Sequence, residues 1–247
     1  MYIPKYQLCG GGSTQIKCEL FLMKKAFTGK YGYYHLLSGH DFLLKPVQQI
    51  QEYYENNTGK VFLAVDRNPL NKPSMLARID QYNINTANRH ITMLLNRFTT
   101  ILQNIIGIHR IKNTPDEKYF AKGMNWASMP ASFVGCVLKE KSFVMHLAKH
   151  SLCFDEMYKQ MVYLKHRDEF FLNFNMENSD KYKDIPRYKL EVMATLHKVD
   201  WERGTPYTYR ISDYDELIHS HCMFARKFDS RIDKEIINRL FEDVKRQ

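Results

Sequence analysis

Two hydrophobic periods alternate along the first 65 residues, and this alternation limits the possible folds more than any other feature. Ile16, Leu20, Met23 and Ala26 or Phe27 recur at helical spacing after the Gly10-Gly11-Gly12 turn, with Ser13 or Thr14 as candidate caps. Tyr31 to Leu37 is continuously apolar and aromatic and stops near Gly39, as a buried strand does. Pro46 stands where a helix begins, Val47 to Tyr54 has a helical pattern, and Lys60 to Val65 reads as a second buried strand. Helix, strand, helix, strand is the order of an α/β domain with a largely parallel sheet.

The rest of the chain continues this mixture. Asn68 to Ser74, with two prolines, reads as a loop, and Asn88 to Ile106 as a long helix. Tyr119 to Ser128 reads as a strand and turn around Gly123. Ser132 to Leu138, Phe143 to Lys149 and Asp155 to Lys165 read as helices. Asn173 to Pro186 is a polar loop, Leu190 to Leu196 alternates like a strand, and Tyr214 to His219 and Asp233 to Val244 read as closing helices. There is no repeat and no low-complexity stretch.

Composition narrows the function classes. A chain of 247 residues with 44% hydrophobic and 13% aromatic content builds a core and is not disordered. The net charge of +9 favours an anionic partner: nucleic acid, an acidic membrane surface or a phosphorylated small molecule. The basic residues are dispersed and form no nucleic-acid stripe or module, so nucleic acid ranks last. Five scattered cysteines (Cys9, Cys18, Cys136, Cys153, Cys222) form no CxxC pair, so they read as reduced thiols of a cytoplasmic chain. No window approaches the ~20 apolar residues of a membrane span. The charge leaves peripheral membrane contact open.

The segment from Asp200 to Asp229 carries the clearest site chemistry. Arg203 follows Trp201, and Phe224 and Phe228 flank Arg226 and Lys227. Cations with aromatic walls suit a diphosphate better than bulk water. Asp213-Tyr214-Asp215 between them fits an Asp-x-Asp pattern, but it stands at a helix start, where carboxylates ordinarily cap and meet the dipole.

The chain resembles the core-2/I-branching β-1,6-N-acetylglucosaminyltransferase family, which also contains the peptide O-xylosyltransferases. Tyr33-Tyr34-His35-Leu36-Leu37-Ser38-Gly39-His40-Asp41-Phe42-Leu43-Leu44-Lys45 carries the hallmark, preceded by Gly12 to Leu20. Lys122-Gly123-Met124-Asn125-Trp126, Leu152-Cys153-Phe154-Asp155-Glu156, Asp200-Trp201-Glu202-Arg203-Gly204 and Phe224-Ala225-Arg226-Lys227-Phe228-Asp229 follow in family order. Phe154 stands where the family has proline, and Met124 where it has serine.

The resemblance implies a single GT-A-like domain over residues 1–247, with a mostly parallel central sheet flanked by helices. It implies inverting transfer of a sugar, GlcNAc by expectation, from a UDP-sugar to a glycan hydroxyl, without a metal or other cofactor. Glu156 matches the catalytic base, with Asp155 beside it as a helix cap. Lys227 matches the diphosphate-binding lysine, and Arg203 is a second cation for the same group. Asp41, Trp126 and Trp201 are candidates for the sugar-binding surfaces. Their rival readings are a loop carboxylate and two core indoles. Arg78 gives only a faint signal for an acceptor.

One departure lies at the front. Family members begin with a strand–helix–strand unit, whereas this chain enters at the following strand, Tyr6 to Cys9. An exposed sheet edge there would favour self-association. The same gap motivates an alternative reading, a non-catalytic glycan- or protein-binding remnant of the fold.

Overall fold

The computed structural model describes residues 12–67, 73–84, 86, 88–177 and 182–245. In chain order its elements are α1 (Ser13–Phe27), β1 (Tyr33–Leu36), β2 (Asp41–Leu43), α2 (Val47–Asn56), β3 (Lys60–Val61), α3 (Pro73–Asp80), α4 (Arg89–Ile105), β4 (Ala127–Pro130), α5 (Ala131–Lys139), α6 (Lys141–Ala148), α7 (Tyr158–Lys165), β5 (Phe171–Leu172), α8 (Arg187–Thr195), β6 (His197–Val199), α9 (Tyr214–Ile218), β7 (Phe224–Arg226) and α10 (Lys234–Lys245). They divide between two compact units. The first comprises Met1–Tyr31, Val65–Asn125 and Ala131–Phe170; the second comprises Gly32–Ala64, Trp126–Pro130 and Phe171–Gln247. The strand expected at Tyr6 to Cys9 and most of the loop expected at Asn68 to Ser74 lie outside the described residues.

The first unit is helical. Ile16, Leu20 and Met23 of α1 are buried, each contributing roughly 1.5–3 kcal/mol, and α1 packs on α5 and α6. Gly12, not Ser13 or Thr14, occupies the N-cap position of α1, and no side chain caps it. Asn88 does cap α4: its side chain accepts from the backbone N–H groups of His90 (2.9 Å) and Ile91 (3.3 Å). Asp80, at the end of α3, gathers the loop beyond α4. It accepts from the N–H groups of Lys112 (2.8 Å), Ile111 (2.9 Å) and Arg110 (3.1 Å) and pairs with His109 Nδ1 (2.6 Å). Burial disfavours the charged carboxyl there, but these donors outweigh it and hold Asp80 below the usual carboxylate range.

The second unit carries the sheets. β2, β7 and β6 form one three-stranded sheet, while β1 pairs with β4 and β3 with β5. The mostly parallel central sheet expected from the sequence is not what these strands form. β1–β4 and β2–β7 are antiparallel, and only β3–β5 and β6–β7 are parallel. Local periodicity identifies strands but not their partners. Here Tyr34 meets Met129 and Phe42 meets Ala225, far along the chain. The strand expected at Leu190 to Leu196 is instead helix α8. Pro186 stands at its N-cap, and Leu190 and Ala194, four residues apart, are buried in one cluster with Ala64 and Met176. Leu196 then turns left-handed (φ 54°) and releases the chain into β6. Cys18, Cys136, Cys153 and Cys222 are free thiols; Cys9 lies outside the described residues.

Candidate functional site

Glu156 closes a 3-10 turn, Phe154–Glu156, that precedes α7. Cys153 enters the turn with φ 51°, and Phe154 anchors it at 1% exposure, filling the family's proline position with apolar bulk. Backbone bonds strap both sides of the turn: Leu152 N–H donates to Arg78 O (2.8 Å), and Gly123 N–H donates to Glu156 O (3.0 Å). The half-exposed Glu156 carboxylate lies 3.1 Å from Lys122 Nζ and 3.9 Å from Arg78 Nη1. Both cations belong to the same unit. Such a carboxylate can accept a proton from a hydroxyl and has countercharge beside it. Asp155 does not cap α7 as the sequence suggested. Its backbone is part of the separate turn, and its side chain points into a buried network.

That network was not legible in the sequence. Glu19 of α1 accepts from Tyr158 OH (2.8 Å), Asn125 Nδ2 (2.9 Å) and Gln15 Nε2 (3.2 Å), and it lies 3.5 Å from Lys159 Nζ. Lys159 is fully buried and donates to the Asn125 side chain and to Asp155 O (3.2 Å). Gln15 Nε2 also donates to Asp155 Oδ2 (2.9 Å). Burial pushes Lys159 below the usual lysine value, opposed by Glu19 and Asp155. Burial likewise pushes the Asp155 carboxyl up, although Lys159 opposes it. Two of these residues flank Glu156 on the turn and the first turn of α7, so the network fixes the backbone that carries the candidate base. The only sequence hint was a charged pair, Glu19 and Lys159, at positions whose helical spacing makes them inward-facing.

In the second unit, Asp41, Trp126 and Arg226 come together. The Asp41 side chain is fully buried; it accepts from Ser38 N–H (2.6 Å), Ser38 Oγ (2.8 Å) and Arg226 Nη1 (3.1 Å). Arg226 also donates to Ser38 Oγ and stacks over Trp126, 5.1 Å from the ring centroid. Trp126 in turn packs on His197 (5.1 Å). Burial pushes His197 down to about 4, so it is neutral at neutral pH. Asp41 thus serves the β2–β7 junction. Phe224 and Phe228 are buried and do not wall a cationic pocket: Phe228 packs on Tyr209 (5.5 Å) and Phe42 (5.9 Å). Phe224 lies in the core cluster with Ile50, Tyr54 and Phe62, and Phe228 in the cluster with Leu44, Tyr209 and Ala225.

Lys227 follows β7, joined to Arg226 by a cis peptide bond. Its N–H donates to Tyr207 O (3.3 Å) and its carbonyl accepts from Tyr209 N–H (2.9 Å). Its half-buried side chain makes no hydrogen bond or ion pair with the described residues. Arg203 is arranged differently. It meets Asp200 (2.5 Å), Asp213 (2.6 Å) and Glu216 (3.2 Å), with its guanidinium 4.1 Å over the Tyr207 ring. Asp213 also accepts from Arg210 N–H (2.8 Å), so the Asp-x-Asp pattern falls at a helix start held by arginine. Trp201 is 40% exposed in this loop. Among the described residues, no group of three or more His, Cys, Asp or Glu side chains is placed to hold a metal ion.

The chain is mixed α/β, with Glu156 on a strapped turn of the first unit and Lys227 just after a strand of the second. The chain belongs to the Core-2/I-Branching enzyme family, whose model matches residues 1–219. This is a glycosyltransferase family, and its chemistry uses a nucleotide-sugar donor and a glycan acceptor. A comparison with curated proteins finds no match.

Proposed function

We infer that residues 1–247 act as a single GT-A-type glycosyltransferase domain. It moves a sugar, GlcNAc by preference, from its UDP conjugate to a glycan hydroxyl with inversion and without a metal ion. The observation that carries this reading is Glu156, a half-exposed carboxylate on a rigid turn at the family's base position, with Lys122 at 3.1 Å. An inverting step needs one group to take the acceptor proton as the anomeric carbon is attacked from the face opposite the leaving group. Glu156 takes that proton. The C–O bond to the diphosphate breaks as the new glycosidic bond forms, and UDP leaves with the bonding pair.

The departing diphosphate needs positive charge. Lys227 supplies it, because no carboxylate among the described residues engages its ammonium. Arg203 joins by exchanging a carboxylate for a phosphate oxygen, so its share is smaller. Trp201 offers an indole face to a sugar ring, and Trp126 with Asp41 shapes the strand end that supports Arg226.

Calorimetry with UDP and a transfer assay on UDP-GlcNAc test the reading together. Glu156→Gln should lower transfer by about 10²–10⁴-fold while UDP binding persists. Lys227→Ala should weaken UDP binding by about 10–100-fold, the loss of one charged hydrogen bond. Full transfer by the Gln variant refutes the base assignment. A well-folded wild-type chain that binds no UDP favours the non-catalytic remnant instead.

A further inference from the structure

Helix α4 is amphipathic in the inverted sense. Its polar side chains face the protein and its apolar ones face outward. Asn96 and Gln103 are buried and clamp the backbone of the preceding segment. Asn96 accepts from Ile84 N–H (2.7 Å) and donates to Ile84 O (3.0 Å). Gln103 accepts from Tyr82 N–H (2.7 Å) and donates to Tyr82 O (3.3 Å). Thr92 and Thr99 lie on the same side, half-buried. These four recur at steps of three and four, the period of one helix face.

The opposite face is a continuous apolar stripe. Ile91, Leu94, Phe98, Ile101, Leu102 and Ile105 recur at the same spacing and are 50%, 59%, 66%, 53%, 58% and 75% exposed. Soluble helices put such a stripe against a core. Scattered exposed apolar residues need no explanation, but a rimmed, contiguous set marks an interaction surface. The clamp on Tyr82 and Ile84 fixes which way the helix faces, so the stripe is presented rather than accidentally uncovered.

Charge identifies the occupant. From Gln81 to Pro115 there is no aspartate or glutamate, while Arg89, Arg97, Arg110 and Lys112 are present. Arg97 and Lys112 are exposed. We propose that α4 is an interfacial helix that lies in the surface of an anionic lipid bilayer, apolar face in the acyl boundary and cations at the headgroups. A stripe of Leu, Ile and Phe with Arg and Lys beside it is the composition of helices that lie in a membrane plane. A second copy fits less well. Arg97 is the middle of the seventeen residues of α4, so an isologous pairing centred on the helix brings two like charges together with no acid on the helix to offset them. The helix does not cross the bilayer: among the described residues no helix is long and apolar enough.

The inference rests on the first unit alone and does not depend on the transferase reading. Its test is co-sedimentation of the full chain with vesicles of phosphatidylglycerol and phosphatidylcholine in equal parts, and with phosphatidylcholine alone. The wild-type chain should partition to the anionic vesicles and detach as salt rises. F98D and L102D replace exposed residues, so the melting temperature should hold, and each should weaken partitioning by about tenfold. R97A should weaken it about fivefold on anionic vesicles only. UDP binding should be unchanged in all three. Equal partitioning of wild type and F98D/L102D, or none by the wild type, overturns the proposal. A wild-type dimer in light scattering that F98D/L102D splits to monomer also overturns it, by giving the stripe to a second copy.

Discussion

Removing the Glu19 carboxylate should unfold the chain at a much lower temperature, because Glu19 is the main countercharge of the buried Lys159. In Glu19→Leu the ammonium keeps only the Asn125 side chain and the Asp155 carbonyl, at 0% side-chain exposure. Tyr158 OH, Asn125 Nδ2 and Gln15 Nε2 lose an acceptor at the same time. Breaking one partner of a buried pair costs about 3–5 kcal/mol. At about 2–4 °C per kcal/mol for a chain of this size, the melting temperature should fall by about 6–20 °C. The loss should also depend on pH. Burial already holds Lys159 below its unfolded value, so the unfolded chain binds more protons over that interval and stability rises with pH. Without Glu19 the depression deepens, and the deficit should be larger at pH 7 than at pH 9. Differential scanning calorimetry of Glu19→Leu, Lys159→Met and the double variant decides it. The double variant should recover most of the loss, since an apolar pair leaves no buried charge. Additive losses, or a Glu19→Leu chain that melts with the wild type, refute the reasoning.

Burial holds His35 and His197 at about 4, against 6.5 when exposed, so each should contribute up to about 3 kcal/mol that is fully present above pH 6.5 and lost as pH falls towards 4; His197→Phe should flatten that limb of a pH–stability profile, and an unchanged limb counts against it. Asp80→Ala should cost about 3 kcal/mol, because four donors in the Arg110 loop lose their acceptor; chemical denaturation reads the change. Asn88→Ala should cost about 1 kcal/mol through the lost α4 cap, seen as a small drop in thermal midpoint. Arg203→Ala should free the Asp200–Tyr207 loop to proteolysis and weaken UDP binding less than Lys227→Ala does; an equal or greater loss of affinity would make Arg203 a primary diphosphate ligand.

Most helices were legible in the sequence because their signals are local. α1, α2, α4, α5, α6 and α10 fall within a few residues of the expected ranges, each with its apolar spacing or a boundary residue such as Pro46 or Asn88. Other elements were misread or missed: the strand expected at Tyr119 to Ser128 begins only at Ala127, helix α3 was not foreseen, and at α8 a short apolar alternation competed with the Pro186 start signal and the buried Leu190–Ala194 step decided for helix. Glu156 and Lys227 were proposed from ordered motifs, not from residue type, since a helix-start glutamate or a surface lysine is ordinary on its own. The neighbours of Glu156 were mostly invisible: Lys122, Arg78, Glu19 and Lys159 come from four separate stretches.

The sequence by itself determined the family, most of the helices, the base candidate and the cationic balance, because motif order, 3.6-residue period and net charge are properties of the chain taken in line. Tertiary structure alone decided strand pairing, the burial of Lys159 against Glu19, the carboxylate partners of Arg203 and the outward apolar face of α4. Each of those depends on which segments meet, across the chain for the strands and for Lys159, within one stretch of chain for Arg203. The desolvation and Coulomb energies involved exist only after they have met, and the periodicity of α4 fixes that it has two faces but not which one turns to the core.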